Sequence, residues 1–125
     1  MSDTHTTVSG GEAHGELMRE VSREMVAAMK RDYGRGPIAA KSYMLDDFLL
    51  VIMRGGLTTA EKTMLDKGRE DAVREFRQIF ENEMAGALAQ IAERLTGRKV
   101  LTHQSQVLFD PDIIIEIFFF ADELD

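Results

Sequence analysis

The stretch Tyr33-Gly34-Arg35-Gly36-Pro37 decides how this chain folds, because it stops one helix and starts one strand. On its N-terminal side, Leu17, Met18, Val21, Met25, Val26, Met29 and Tyr33 recur at intervals of three and four. That spacing predicts a helix over about residues 12–33 with one buried stripe. Gly34 or Gly36 can take the positive φ that ends it, and Pro37 prevents its resumption while biasing Gly36 toward extended backbone. On the C-terminal side, residues 38–44 alternate loosely and residues 48–53 are uniformly apolar, with Leu45-Asp46-Asp47 as a tight connection between them. This reads as a β-hairpin whose second strand is buried on both faces.

The second half repeats that order. Thr58 followed by Glu61 is a capping box: the threonine hydroxyl accepts from the backbone three residues on, and the glutamate reaches back to the cap. The helix it starts carries Val73, Phe76, Ile79, Phe80, Met84, Leu88, Ile91 and Leu95 as its apolar positions. Run unbroken over residues 59–95 it would be about 55 Å long, too long for this domain, so a break is expected near Lys67-Gly68. Gly97 ends it. Residues 99–107 form a polar-leaning strand, Asp110-Pro111 a turn, and residues 112–120 the most apolar strand. Gly97-Arg98 stands where Gly34-Arg35 stands in the first half, although the two helices do not align as a repeat. The expected fold is α+β, helix-strand-strand-helix-strand-strand, with a four-stranded antiparallel sheet and helices packed on one face. One domain spans residues 14–121, between a disordered tail at 1–13 and an acidic tail at 122–125.

In the last strand both alternating sets are apolar: Ile113, Ile115, Ile117 and Phe119 on one side, Ile114, Phe118 and Phe120 on the other. Helices on one face would leave one set in water, and an apolar patch of that size marks an interface. A homodimer is expected, either through the sheet face or by strand addition at an edge, with Ile113, Ile115, Ile117, Phe118, Phe119 and Phe120 as its candidate interface. The other possibility is that the broken second helix wraps round and covers both faces.

With 125 residues, 44% hydrophobic and 30% charged, the chain has the make-up of a single globular domain. A net charge of −7 argues against nucleic-acid binding, which needs a basic stripe, and against anionic membrane surfaces. There is no cysteine, so no disulfide framework, thiolate metal site or cysteine nucleophile. The longest apolar runs fall short of the roughly 20 residues a membrane helix needs, and the first residues lack the pattern of a secretory signal. A cytoplasmic protein with no membrane span is expected.

No catalytic constellation stands out. The turn at Gly34, Arg35, Gly36 and Pro37 could present N–H groups and a guanidinium to an anion, but helix stop and strand start already require those residues. Arg69, Arg74 and Arg77 with Glu70, Asp71 and Glu75 read as a solvated helix face, more than as a basic site. Asp46-Asp47 and Asp110 with Asp112 fall where turns need them. His5, His14 and His103 have no partner at metal-ligand spacing, and no metal or cofactor is expected.

The order Tyr33-Gly34-Arg35-Gly36-Pro37, hairpin, Leu57-Thr58-Thr59-Ala60-Glu61, Gly68-Arg69-Glu70 and Leu95-Thr96-Gly97-Arg98-Lys99-Val100 resembles the MpsC-like family. This small bacterial family, long a domain of unknown function, is named for a sodium-translocating membrane-potential-generating system. The resemblance covers roughly residues 14–121 and brings no catalytic residues with it. It implies an association with membrane cation or inorganic-carbon uptake. The expectation is a non-enzymatic accessory or regulatory domain that dimerises and binds a protein partner at the cytosolic face of such a complex. The competing expectation is a small-anion sensor in which Arg35, Arg98 and Arg77, beside Gly97 and the other turn residues, converge on the anion.

Overall fold

The computed structural model describes residues 2–121, with side chains from residue 12 onward. Its elements in order are α1 (Ser2–Tyr33), β1 (Ala39–Met44), β2 (Phe48–Arg54), α2 (Thr59–Asp66), α3 (Glu70–Thr96), β3 (Val100–Phe109) and β4 (Asp112–Phe120). The backbone of α1 includes most of the stretch expected as an N-terminal tail, and from residue 12 onward its first buried position is Met18. The expected acidic tail, 122–125, lies outside the described residues.

The helix stops are those that the glycines foretell. Gly34 takes φ 89° and donates to the Lys30 carbonyl at 3.1 Å. Gly97 takes φ 72° and donates to the Glu93 carbonyl at 2.8 Å. Gly36 has a different reason to be glycine: a Cβ there would stand 2.9 Å from Lys30 Cβ, where the chain turns back along α1. The expected break in the second helix falls at Lys67-Gly68, with Gly68 at φ 78°, and separates α2 from α3.

The capping box is complete. Thr58 Oγ1 accepts from the Glu61 amide at 3.1 Å, and Thr58 N donates to Glu61 Oε1 at 2.8 Å. Thr58→Ala removes one of these bonds, so urea unfolding is expected to register a loss of about 0.5–2 kcal/mol. A loss below that range would mean that Glu61 alone holds the helix start.

The four strands form one antiparallel sheet in the order β1-β2-β4-β3, so the two hairpins meet at the β2–β4 pair in the centre. α1 packs on β1, α3 on β3, and the two helices on each other, all on one face. The core lies between: Val21, Met25 and Met29 from α1, Leu88 and Ala92 from α3, Leu49, Val51 and Met53 from β2, and Ile114 and Phe118 from β4. The methionines fill the gaps between helix and sheet, as flexible side chains do.

Three expectations need correction. Phe118 and Phe120 cannot line an outer interface, because they face the helices and are fully or nearly fully buried. β2 is buried on one face only, with Phe48, Leu50 and Ile52 half-exposed on the other. The apolar stripe assigned to α3 is rotated in its first half: Phe76 and Ile79 are more than half exposed, while Val73, Arg77, Glu81, Met84, Leu88 and Ala92 are buried.

Candidate functional site

Two features separate this domain from a plain two-layer fold. The first is a line of buried polar side chains between α3 and the sheet. Arg77 is 3% exposed, on the buried face of α3. Its Nε donates to Glu61 Oε2 at 3.1 Å, and its Nη2 donates to the Gly56 carbonyl at 2.9 Å and to Glu61 Oε1 at 3.3 Å. The guanidinium also lies over the Tyr33 ring, 5.0 Å from its centroid. Glu61 therefore caps α2 and pins it to α3 with the same carboxylate.

One turn beyond Arg77 lies Glu81, 2% exposed, and across from it Glu116, the charge in the middle of the central strand β4, fully buried. Glu116 Oε1 accepts from His103 Nε2 at 2.6 Å and from Ser105 Oγ at 2.5 Å. The imidazole is stacked on Phe118, centroids 4.3 Å apart. Two acids buried against each other cannot both ionise cheaply. Burial, followed by the hydrogen bond and charge of Glu116, pushes the Glu81 carboxyl up to about 10, although Arg77 and His103 pull the other way. Burial raises Glu116 as well, opposed by the hydrogen bonds from Glu81 and Ser105, and burial lowers His103. Glu81 Oε1 and Glu116 Oε2 are buried without a hydrogen-bond partner, and a proton held on Glu81 and shared with Glu116 would satisfy both. Buried in this way, the cluster offers no surface to a substrate. Among the described residues no group of three His, Asp or Glu side chains is placed to hold a metal ion.

The second feature is the sheet face that carries no helix. β4 presents Ile113, Ile115, Ile117 and Phe119 there, and β2 presents Phe48, Leu50 and Ile52. Across the strand pair Leu50 stands against Ile117, Ile52 against Ile115 and Phe48 against Phe119. The rings of the last pair lie 5.7 Å apart. β3 flanks this apolar centre with exposed Gln104 and Gln106, and β1 flanks it with exposed Lys41. α2 packs on α3 and leaves these residues half-exposed, so the broken helix does not wrap round.

A family model described as Na+-translocating membrane potential-generating system (MpsC) matches residues 13–122. The chain belongs to the MpsC family. No curated protein and no solved structure matches it.

In this MpsC-family fold the arginines expected to gather round an anion stand apart. Arg35 is exposed at the α1–β1 junction, by the end of the sheet where Ile38 bonds Arg54. Arg98 lies at the other end, its Nη2 on the Asp46 carbonyl at 2.9 Å and its guanidinium over Phe120. The length of β2, about 20 Å, separates them. Arg77 is taken up by Glu61, so it belongs to no solvated helix face. Gly34, Gly36, Pro37 and Gly97 act at helix ends and close turns; Thr58 and Glu61 do cap α2.

Glu81, Glu116, His103 and Ser105 escape a reading by motif, because each partner comes from a different element. One signal was there: Glu116 interrupts an otherwise apolar strand, and a charge so placed needs a partner inside the protein.

Proposed function

We propose that this MpsC-family chain is a non-catalytic accessory domain that pairs with a second copy and serves a membrane cation-uptake system from the cytosolic side. The uncovered sheet face carries the reading: seven large apolar side chains in register on two central strands, rimmed by polar ones. Single exposed apolar residues mean little, but a contiguous patch of this kind favours association. Two such faces stacked about the twofold axis of a dimer would form a sandwich, with sheets about 10 Å apart. The family description supplies the membrane system, one that moves Na+. Among the described residues no helix is long and apolar enough to cross a membrane, so a part played by these residues is one taken beside the membrane-spanning components. The separation of Arg35, Arg77 and Arg98 gives the anion-sensor reading no support.

Light scattering over a concentration series tests the dimer. The protein is expected to run at twice its chain mass, and Ile115→Lys at one chain mass with its circular dichroism unchanged, because the lysine stands on the outer face and leaves the core intact. A protein that stays monomeric throughout would sink the reading.

A further inference from the structure

A groove of about 770 Å³ runs between α1 and the edge strand β1. Its apolar floor comes from Met18 and Val26 on α1 and from Met44 on β1. Its charged lining is of one sign. Arg19, Arg23 and Lys41 reach it together with His14, and no aspartate or glutamate does, on a chain whose net charge is −7. Arg19 shares its charge with Glu16 at 3.3 Å, outside the groove lining.

The wall of the groove is unpaired backbone. β1 and β3 are the two edges of the sheet. The β3 edge is broken by a register shift between Val100 and Thr102, a common way of blunting an edge. β1 keeps an unbroken register with β2 over all six of its residues. Leu45 N donates to the Phe48 carbonyl at 2.9 Å, which fixes the alternation: Tyr43 and Lys41 exchange bonds with β2, whereas the amides and carbonyls of Ala40, Ser42 and Met44 point away from it. Ile38, 80% exposed, and Leu45, 53% exposed, bracket this free edge.

We propose that the α1–β1 groove is a docking site for an extended segment of a partner protein in which acidic and apolar side chains alternate. The segment would add to β1 as a fifth strand of about six residues. Its backbone would pair with Ala40, Ser42 and Met44. Its apolar set would lie on Met18 and Val26, and its carboxylates, on the opposite face of the added strand, would meet Lys41. Of these residues only Lys41 borders the outer sheet face; the free edge of β1 and the α1 floor lie off it, so the site stands whether or not the chain dimerises there.

The test uses the full chain and a fluorescent peptide of six residues alternating glutamate and valine, followed by anisotropy. A lysine–valine peptide of equal length serves as control. The acidic peptide is expected to bind at least about tenfold tighter than the basic one, and more weakly as salt rises from about 50 to 500 mM. Ala40→Pro removes an outward N–H without touching the β2 ladder and is expected to weaken binding at least about tenfold. Lys41→Glu, a surface change that leaves the core alone, is expected to do the same, so the proposal stays testable if the proline variant fails to fold. Equal binding of the two peptides, no binding of either, or acidic-peptide binding that survives Lys41→Glu would overturn it. So would loss of self-association in Ala40→Pro with peptide binding intact, which would assign the edge to a second copy of the chain.

Discussion

Glu61→Ala is expected to cost about 3–5 kcal/mol, more than any other single polar change in the molecule, because it leaves a buried guanidinium without its counter-charge. Arg77 is 3% exposed, and with Glu61 gone it keeps the Gly56 carbonyl at 2.9 Å as an acceptor. The same substitution strips the reciprocal bond from the α2 cap, since Thr58 N donates to Glu61 Oε1. Glu61→Gln separates the two effects: the amide oxygen can still accept from Thr58, while the charge on Arg77 goes unmatched. Its loss should lie between those of Thr58→Ala and Glu61→Ala. The double change Glu61→Gln with Arg77→Leu should recover part of the loss of Glu61→Gln alone, because a buried pair is replaced at less cost than it is broken. Urea unfolding with a constant m-value reads all three. A loss under about 1 kcal/mol for Glu61→Ala would mean that water reaches Arg77 and that the pair is no part of the core.

What could be read from the sequence was local chemistry. Gly34, Pro37, Gly68 and Gly97 mark their boundaries because backbone geometry at a helix end needs them whatever lies nearby. Thr58 and Glu61 are three residues apart, and the capping box involves nothing else. The face assignment of α3 was harder, because that helix carries two stripes. Phe76, Ile79 and Phe80 make an apolar one, yet Val73, Arg77, Glu81, Met84, Leu88 and Ala92 make the one that is buried. Hydrophobicity alone chooses the first. The second wins because Arg77 finds Glu61, 16 residues earlier, and Glu81 meets Glu116 on the far hairpin, neither of which a local pattern displays. The alternation in β4 did separate Ile113, Ile115, Ile117 and Phe119 from the other set. It could not say which set faces the helices. Glu116 belongs with Ile114, Phe118 and Phe120, and its hydrogen bonds to His103 and Ser105 turn that set inward.

Raising the pH is expected to weaken the fold through Glu81, and Glu81→Gln to abolish that weakening. In the folded chain the Glu81 carboxyl is held up to about 10 by burial first and by Glu116 second, against an ordinary value of 4.5. Once the pH exceeds the ordinary value, the unfolded chain has released this proton and the folded chain has kept it. The folded state then binds more protons, so stability falls as pH rises, until the folded group itself ionises. Glu116, also raised, acts in the same direction. His103 acts in the opposite one: burial lowers it, so below its ordinary value of 6.5 the unfolded chain takes up a proton that the folded chain refuses, and stability rises with pH there. The groups facing the pair are Arg77 on α3 and His103 on β3, with Glu61 beyond Arg77. Above about pH 7 the histidine contributes nothing further, and the carboxyl pair remains, with a slope of up to about 1.4 kcal/mol per pH unit. Glutamine at position 81 keeps the shape, can still donate to Glu116 and cannot ionise. Urea unfolding at about pH 5, 7 and 9 should therefore find the two proteins close at the lowest pH and Glu81→Gln ahead at the highest. Glu83→Gln, on the exposed side of the same helix, should keep the slope of the parent. Parallel pH curves for the parent and Glu81→Gln would mean that the folded core holds no proton at Glu81. The stacked His103 would then have to carry the charge that balances Glu116, and the fold would instead gain stability as the pH falls toward the histidine.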